Sequence, residues 1–123
     1  MDRILILSAD LRLLDKLAPA MRKADFDVVC AADIADGLKR LDEAEVGLVI
    51  LDEFLSVDSW RLCQRIDRVF DIGIILLGRR PSQEVWASAE ETGFDFYLEK
   101  PVSVPELGAR ARALLRRKEA VGA

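Results

Sequence analysis

Five short apolar runs alternate along the chain with segments of helical periodicity. The runs cover residues 3–7, 28–31, 47–51, 72–77 and 94–98. Continuous apolar runs of this length are typical of strands that are buried on both faces. Strands that alternate with helices form a parallel sheet covered by helices on both sides. The sequence therefore predicts a three-layered, doubly wound α/β domain.

The segments between and after these runs carry apolar residues at helical spacing. Residues able to cap a helix stand at their starts: Asp10, Asp33, Asp58 or Ser59, Ser82, and Ser103 with Glu106 three positions later. The apolar residues at helical spacing are Leu11, Leu14, Leu17, Ala18 and Met21; Ile34, Leu38 and Leu41; Leu62, Ile66 and Val69; Val85, Trp86 and Ala89; and, predicted to face inward, Leu107, Ala111, Leu114 and Leu115. Pro19 predicts a kink or a shifted boundary in the first helix, residues 11–24.

Composition and charge exclude several classes of protein. With 123 residues, 51% of them apolar, the chain is predicted to form one domain over residues 1–118, followed by a tail or linker start at 119–123. No apolar run is long enough to cross a membrane and no signal-peptide pattern opens the chain, so we expect a cytoplasmic protein. The net charge of −4 argues against nucleic-acid binding by this domain. The basic residues of the last segment fit a solvated helix end instead.

Residue types also limit the chemistry. The chain has no histidine, which excludes Ser-His, Cys-His and His-ligated metal sites. Cys30 and Cys63 are far apart in sequence and match no metal-binding spacing, so we expect two buried thiols.

Two charged residues stand at or just beyond the ends of predicted strands. Asp52 follows the third apolar run, and Lys100 follows the fifth and precedes Pro101. In open parallel sheets, functional groups gather at the carboxyl ends of the strands. We therefore expect the Asp52 carboxylate and the Lys100 ammonium to share one crevice.

Two motifs resemble those of the receiver domains of bacterial two-component response regulators. They are L-V-I-L-D at Leu48–Asp52 and G-F-D-F-Y-L-E-K-P at 93–101, and the resemblance extends from residue 3 to about residue 117. It implies a flavodoxin-like fold with strand order 2-1-3-4-5. It also implies a signalling module with no enzymatic turnover of a metabolite.

The resemblance gives roles to individual residues. Asp52 would accept a phosphoryl group from a sensor histidine kinase or phosphotransfer protein, and Lys100 would contact the phosphoryl oxygens. The Lys100–Pro101 peptide bond would be cis. Gly78 and Tyr97 stand at the switch positions. A Mg²⁺ ion normally supplies the remaining positive charge at such a site.

Three positions depart from the family pattern. Ser8 and Ala9 stand where an acidic pair is usual, and Gly78 stands where a Thr or Ser is usual. Asp10 and Asp52 remain as metal-ligand candidates, and we expect them to hold Mg²⁺ weakly. The sequence therefore predicts a degenerate receiver with weak or absent Mg²⁺-dependent phosphorylation. Asp52 has an alternative role as an ion-pair partner of Lys100, and Asp10 has one as a helix cap.

Within this family the chain either responds to inefficient phosphorylation or works as a locked docking or homodimerisation unit. The predicted output surface is the fourth helix, fifth strand and last helix, including Pro81, Trp86 and Tyr97. An attached or separate effector domain would be the partner. The alternative from another class is a flavodoxin-like nucleotide or flavin binder, although no glycine-rich loop follows the first strand.

Overall fold

The computed structural model describes residues 3–52 and 59–122, which form five strands and six helices. In chain order they are β1 (Arg3–Leu7), α1 (Leu11–Lys23), β2 (Asp27–Ala31), α2 (Ile34–Glu43), β3 (Leu48–Asp52), α3 (Ser59–Phe70), β4 (Gly73–Gly78), α4 (Ser82–Trp86), α5 (Ala89–Thr92), β5 (Phe96–Glu99) and α6 (Val104–Gly122). All paired strands are parallel, in the order β2-β1-β3-β4-β5. The predicted flavodoxin-like fold and its strand order are confirmed.

The sheet is buried on both faces, which explains why its strands read as continuous apolar runs. On one face Ile4, Ile6, Leu48 and Ile50 pack against α1 and α6. On the other face, Leu5, Leu7, Val49 and Leu51 pack against α2, α3, α4 and α5. Successive residues of a strand point to opposite faces, so each central strand contributes to both layers.

The fourth predicted helix is wrong in its extent, because it is two short helices. α4 ends at Trp86 and α5 begins at Ala89, with a turn at residues 87–88. At this turn both the backbone N–H and the hydroxyl of Ser88 donate to the carbonyl of Val85, at 3.0 and 2.9 Å. Serine side chains that bond a nearby carbonyl compete with helical hydrogen bonding.

Three smaller predictions about helices are corrected. Leu11 and Val69, placed with the apolar residues of their helices, are 64% and 63% exposed. Each lies at or next to the end of its helix. α1 runs through Pro19 to Lys23, so no helix boundary falls at Pro19. The proline lies on the exposed side of the helix, where water can bond the backbone carbonyl that loses its helical partner.

The predicted helix caps have mixed outcomes. Asp10 and Asp33 accept hydrogen bonds from the first turns of α1 and α2. Ser103 Oγ accepts from the backbone N–H of Glu106 at 3.4 Å. α4 begins at Ser82 after Pro81, and the Pro81 side chain does not cap it. Asp58, a candidate cap for α3, lies outside the described residues. α6 continues to Gly122, so most of the predicted tail is helical.

The two cysteines differ in burial. Cys63 on α3 is fully buried, and burial, with Asp67 and Asp95 nearby, raises its thiol pKa to about 12. Cys30 on β2 is only half-buried, so its predicted burial is wrong in degree. Burial still raises the pKa of Cys30, against the lowering effect of Arg22 and Arg40.

Within the described part of the chain, no helix is long and apolar enough to span a membrane.

Gly93 ends α5 in the left-handed conformation, with φ of 91°, and leads into β5. A methyl group there would lie 2.6 Å from the carboxylate of Asp67. We predict that Gly93→Ala lowers the free energy of unfolding by at least about 1–2 kcal/mol. Gly108, inside α6, has nothing within 4 Å of the corresponding position.

Gly108→Ala is therefore the matched control, and it is expected to raise the free energy of unfolding by about 0.5–1 kcal/mol. Urea denaturation followed by circular dichroism measures both variants. Equal effects of the two substitutions would contradict the conformational role of Gly93.

Candidate functional site

The carboxyl ends of the strands surround a crevice of about 220 Å³. Asp10, Asp52, Arg79 and Lys100 line it. They come from the segment after β1, the end of β3, and the segments after β4 and β5. This is the edge where an open parallel sheet collects polar groups from distant parts of the chain.

Asp52 is the last residue of β3, and both of its carboxylate oxygens are engaged. It is 2% exposed. Lys100 Nζ lies 2.9 Å from Oδ1, and Ser8 Oγ donates to Oδ2 at 2.8 Å. A buried carboxylate is costly unless it is paired and hydrogen-bonded, and this one is both. The predicted meeting of Asp52 and Lys100 occurs in the structure.

Lys100 is held at the crevice by its backbone. Its N–H donates to the carbonyl of Gly78 at 2.7 Å, which joins the end of β5 to the end of β4. The Lys100–Pro101 peptide bond is cis. With only 11% of its side chain exposed, Lys100 has limited access to water, and the ion pair with Asp52 compensates its charge.

Ser8 is the residue that sequence reasoning undervalued. In the sequence it marks only the position of a missing acid, yet its side chain is completely buried and connects the ends of two strands. Leu7 pairs with Leu51, so the next residues, Ser8 and Asp52, lie side by side. The Ser8 hydroxyl also accepts from the N–H of Asp10 at 3.0 Å. The signal was available: a small hydroxyl residue at the end of a strand adjacent to β3.

Asp10 caps α1. Its Oδ1 accepts from the N–H groups of Arg12 and Leu13, at 3.0 and 3.3 Å. It also lines the crevice, so the two alternatives of cap and site residue both describe its position.

The described residues around the crevice do not fit a magnesium ion. Mg²⁺ prefers near-octahedral oxygen ligands with carboxylates among them. Both oxygens of Asp52 are already hydrogen-bonded, and one oxygen of Asp10 binds the helix. Nowhere in residues 3–52 and 59–122 do three or more His, Cys, Asp or Glu side chains form a group that could hold a metal.

The two switch positions differ in character. Gly78 ends β4 opposite Glu99 and brings no hydroxyl to the crevice. The Tyr97 ring is buried, at 3% exposure, and it lines the cavity beside Trp86 and Phe96, so its place at a partner-binding face stays a prediction. Its hydroxyl accepts from the N–H of Arg80 at 3.0 Å and lies 3.2 Å from the carbonyl of Arg80. The Tyr97 side chain therefore holds the loop after β4 from the inside.

Arg79 is the crevice residue that the sequence did not indicate. It follows Gly78 in the loop after β4, and its side chain is exposed while lining the crevice. Nothing in the strand or helix periodicity marks it, because the direction of a loop side chain depends on the loop's own conformation.

Comparison with known proteins gives a consistent result. The chain is 36% identical over 120 residues to the transcriptional regulatory protein AfsQ1 of Streptomyces coelicolor, covering 97% of this chain and 53% of that protein. It is 34% identical over 125 residues to the DNA-binding dual master transcriptional regulator RpaA of a Synechocystis species, covering 98% of this chain and 52% of RpaA. The chain thus spans about half the length of these curated relatives. No protein-family model matches it.

Solved structures agree in fold. A two-component response regulator from Clostridium difficile superposes with a TM-score of 0.88 at 26% identity, over 96% of this chain and 98% of that one. A CheY-like response regulator receiver domain from Methanospirillum hungatei gives a TM-score of 0.88 at 23% identity, over 98% of each chain. At 23% identity, the likeness to the Methanospirillum hungatei receiver domain shows only that the two chains share a fold.

The ion pair between Asp52 and Lys100 generates a stability prediction. Replacing Lys100 with Met keeps much of the side-chain volume but leaves a buried carboxylate without its cation. We predict that Lys100→Met lowers the free energy of unfolding by about 3 kcal/mol at neutral pH. The measurement is urea denaturation.

The control is the double variant Asp52→Asn, Lys100→Met. Removing the stranded charge is expected to recover more than half of the loss. Additive effects of the two substitutions would show that the pair does not interact.

Proposed function

The chain belongs to the receiver domains of two-component response regulators, and we propose that it is an atypical receiver that acts in the cytoplasm. Its input would come from a sensor histidine kinase or a phosphotransfer protein, and its output would go to an attached or separate effector domain. The proposal places the receiver at residues 1–118. It includes no enzymatic turnover of a metabolite, no membrane contact and no nucleic-acid contact by this domain.

The observation that carries the proposal is the Asp52–Lys100 pair at 2.9 Å. It lies where the conserved fold collects groups at the strand ends, and it pairs an acceptor carboxylate with a cation suited to phosphoryl oxygens. The alternative of a nucleotide or flavin binder is not favoured. After β1 the chain continues as Ser8, Ala9 and Asp10, not as a glycine-rich loop.

We propose further that Mg²⁺-dependent phosphorylation of Asp52 is weak or absent and that the domain stays mainly in one conformation. Ser8 and Lys100 satisfy the two carboxylate oxygens, which therefore need no metal for compensation. Gly78 has no hydroxyl to draw toward a phosphoryl group. Tyr97 is already bonded inside the loop after β4. A ligand shifts a conformational equilibrium only by its differential affinity for the two states, and this site offers few differential contacts.

Restoring the acidic pair tests this proposal. With acetyl phosphate and Mg²⁺, we predict slow or undetectable phosphorylation of the wild type, read by intact mass. The double substitution Ser8→Asp, Ala9→Asp adds two carboxylates beside Asp52 and is expected to raise Mg²⁺ affinity by about tenfold or more. It should raise the phosphorylation rate with it.

The neutral double variant Ser8→Asn, Ala9→Asn is the control for shape. Asp52→Asn in the acidic background should abolish the mass increase. Fast Mg²⁺-dependent phosphorylation of the wild type would overturn the proposed degeneracy while leaving the receiver function intact.

We propose that the output surface comprises α4, β5 and α6. Trp86 is 41% exposed and its ring centroid lies 5.6 Å from that of Phe96. Arg110 of α6 stacks over the same Phe96 ring at 4.2 Å. A cavity of about 310 Å³ lies beside them, lined partly by Pro101 and Glu106. Aromatic rings with an arginine at the surface are typical of protein-binding sites.

If this surface forms a homodimer, sedimentation equilibrium will show reversible association that Trp86→Ala weakens by about tenfold. Leu11→Ala is the matched control, because Leu11 is an exposed apolar side chain on a different helix. Association that Leu11→Ala weakens and Trp86→Ala leaves unchanged would place the interface elsewhere.

A further inference from the structure

The described side chains that line the crevice at the strand ends are two carboxylates and two cations. Asp10 and Asp52 contribute carboxylates, while Arg79 and Lys100 contribute cations. Among these four described side chains, the positive and negative formal charges are equal in number. A divalent cation entering this space would meet a guanidinium and an ammonium, which repel it.

The carboxylates of the crevice are largely occupied by other groups. Lys100 and Ser8 engage the two oxygens of Asp52. The first turn of α1 engages Oδ1 of Asp10. The negative charge that an incoming anion would meet is therefore partly compensated by existing hydrogen bonds.

Arg79 is differently placed. Its side chain is exposed at the crevice, and in the described part of the chain no carboxylate lies within ion-pair distance of it. The bond from the Lys100 N–H to the carbonyl of Gly78 holds the start of the Arg79 loop next to Lys100. Two cations from adjacent strand ends thus face one space of about 220 Å³.

We propose that Arg79 and Lys100 form a metal-independent site for a phosphate-class oxyanion, with Arg79 supplying the charge that a divalent cation supplies elsewhere. The planar guanidinium presents paired N–H donors that match two oxygens of a phosphate group. The ammonium of Lys100 adds a second, compact charge. This inference rests on the proposed receiver function, because it concerns the same crevice.

The oxyanion can reach the crevice from two sources. One is free phosphate. The other is a phosphoryl group on Asp52, formed when an Asp52 oxygen attacks the phosphorus of an acyl phosphate. In that step a new O–P bond forms, the bond from phosphorus to the carboxylate leaving group breaks, and the leaving group departs with the electron pair. Lys100 then transfers its hydrogen bond from Asp52 to a phosphoryl oxygen.

The experiment measures phosphate binding in EDTA, so that no divalent metal is present. Inorganic phosphate is titrated into the ¹⁵N-labelled chain, and amide shifts around Gly78 and Lys100 are followed. Arg79→Gln is expected to weaken binding by about tenfold, and Arg79→Lys by less. Arg80→Gln is the matched control, since it removes the same charge from the next residue, which is not among those lining the crevice. Binding to this control should stay within about twofold of the wild type.

A second arm separates the two sources. The chain is incubated with acetyl phosphate in EDTA and its intact mass is measured, with Asp52→Asn as control. A mass increase that requires Asp52 and falls in Arg79→Gln identifies the covalent source. Saturable phosphate binding without a mass increase identifies the free anion.

Three results would overturn the inference: no saturable phosphate binding in EDTA, equal weakening by Arg79→Gln and Arg80→Gln, or modification of Asp52 that requires Mg²⁺. The last result would leave the proposed receiver function standing, so the two proposals fail separately. Circular dichroism of each variant confirms that any loss of binding occurs in folded protein.

Discussion

The compensation of one buried carboxylate organises the functional end of this domain. Asp52 stands at the end of a central strand and is 2% exposed, so its charge cannot rely on water. Lys100 and Ser8 provide the compensation from the ends of two other strands. The site therefore depends on the sheet register: a shift of β1 or β5 relative to its neighbours would move Ser8 or Lys100 away from the carboxylate.

The same compensation limits what the site can do as a switch. A receiver that responds to phosphorylation needs two conformations whose populations differ once charge is added to the acceptor. Here the carboxylate, the hydroxyl of Tyr97 and the loop after β4 already have partners. Adding a phosphoryl group breaks existing hydrogen bonds as it makes new ones. On the proposal of a locked receiver, these losses and gains nearly cancel, and the domain would signal by docking.

Much of the fold was predictable because buried parallel strands carry their own signal. Continuous apolar runs separated by helical periodicity gave five strands, and the topology rule then placed Asp52 and Lys100 at one edge. Helical periodicity identifies an apolar face but not how deeply each residue of that face is buried, and Leu11 and Val69, at or next to the ends of their helices, are exposed. The turn at Ser88 depends on a single side-chain hydrogen bond, which periodicity does not report.

Of the residues at the crevice, Asp10, Asp52 and Lys100 were predictable from the sequence, whereas Ser8 and Arg79 were not. Ser8 contributes through strand register, because its neighbour Leu7 pairs with Leu51, and Arg79 contributes through the conformation of a loop. Both lie at positions where no repeating pattern operates. In an open parallel sheet every strand ends at the same edge, so a charge lost after one strand can be replaced after another. The acidic residues absent at Ser8 and Ala9 would have drawn a cation from solution. In the proposed oxyanion site, Arg79 after β4 brings positive charge to the same crevice from within the chain.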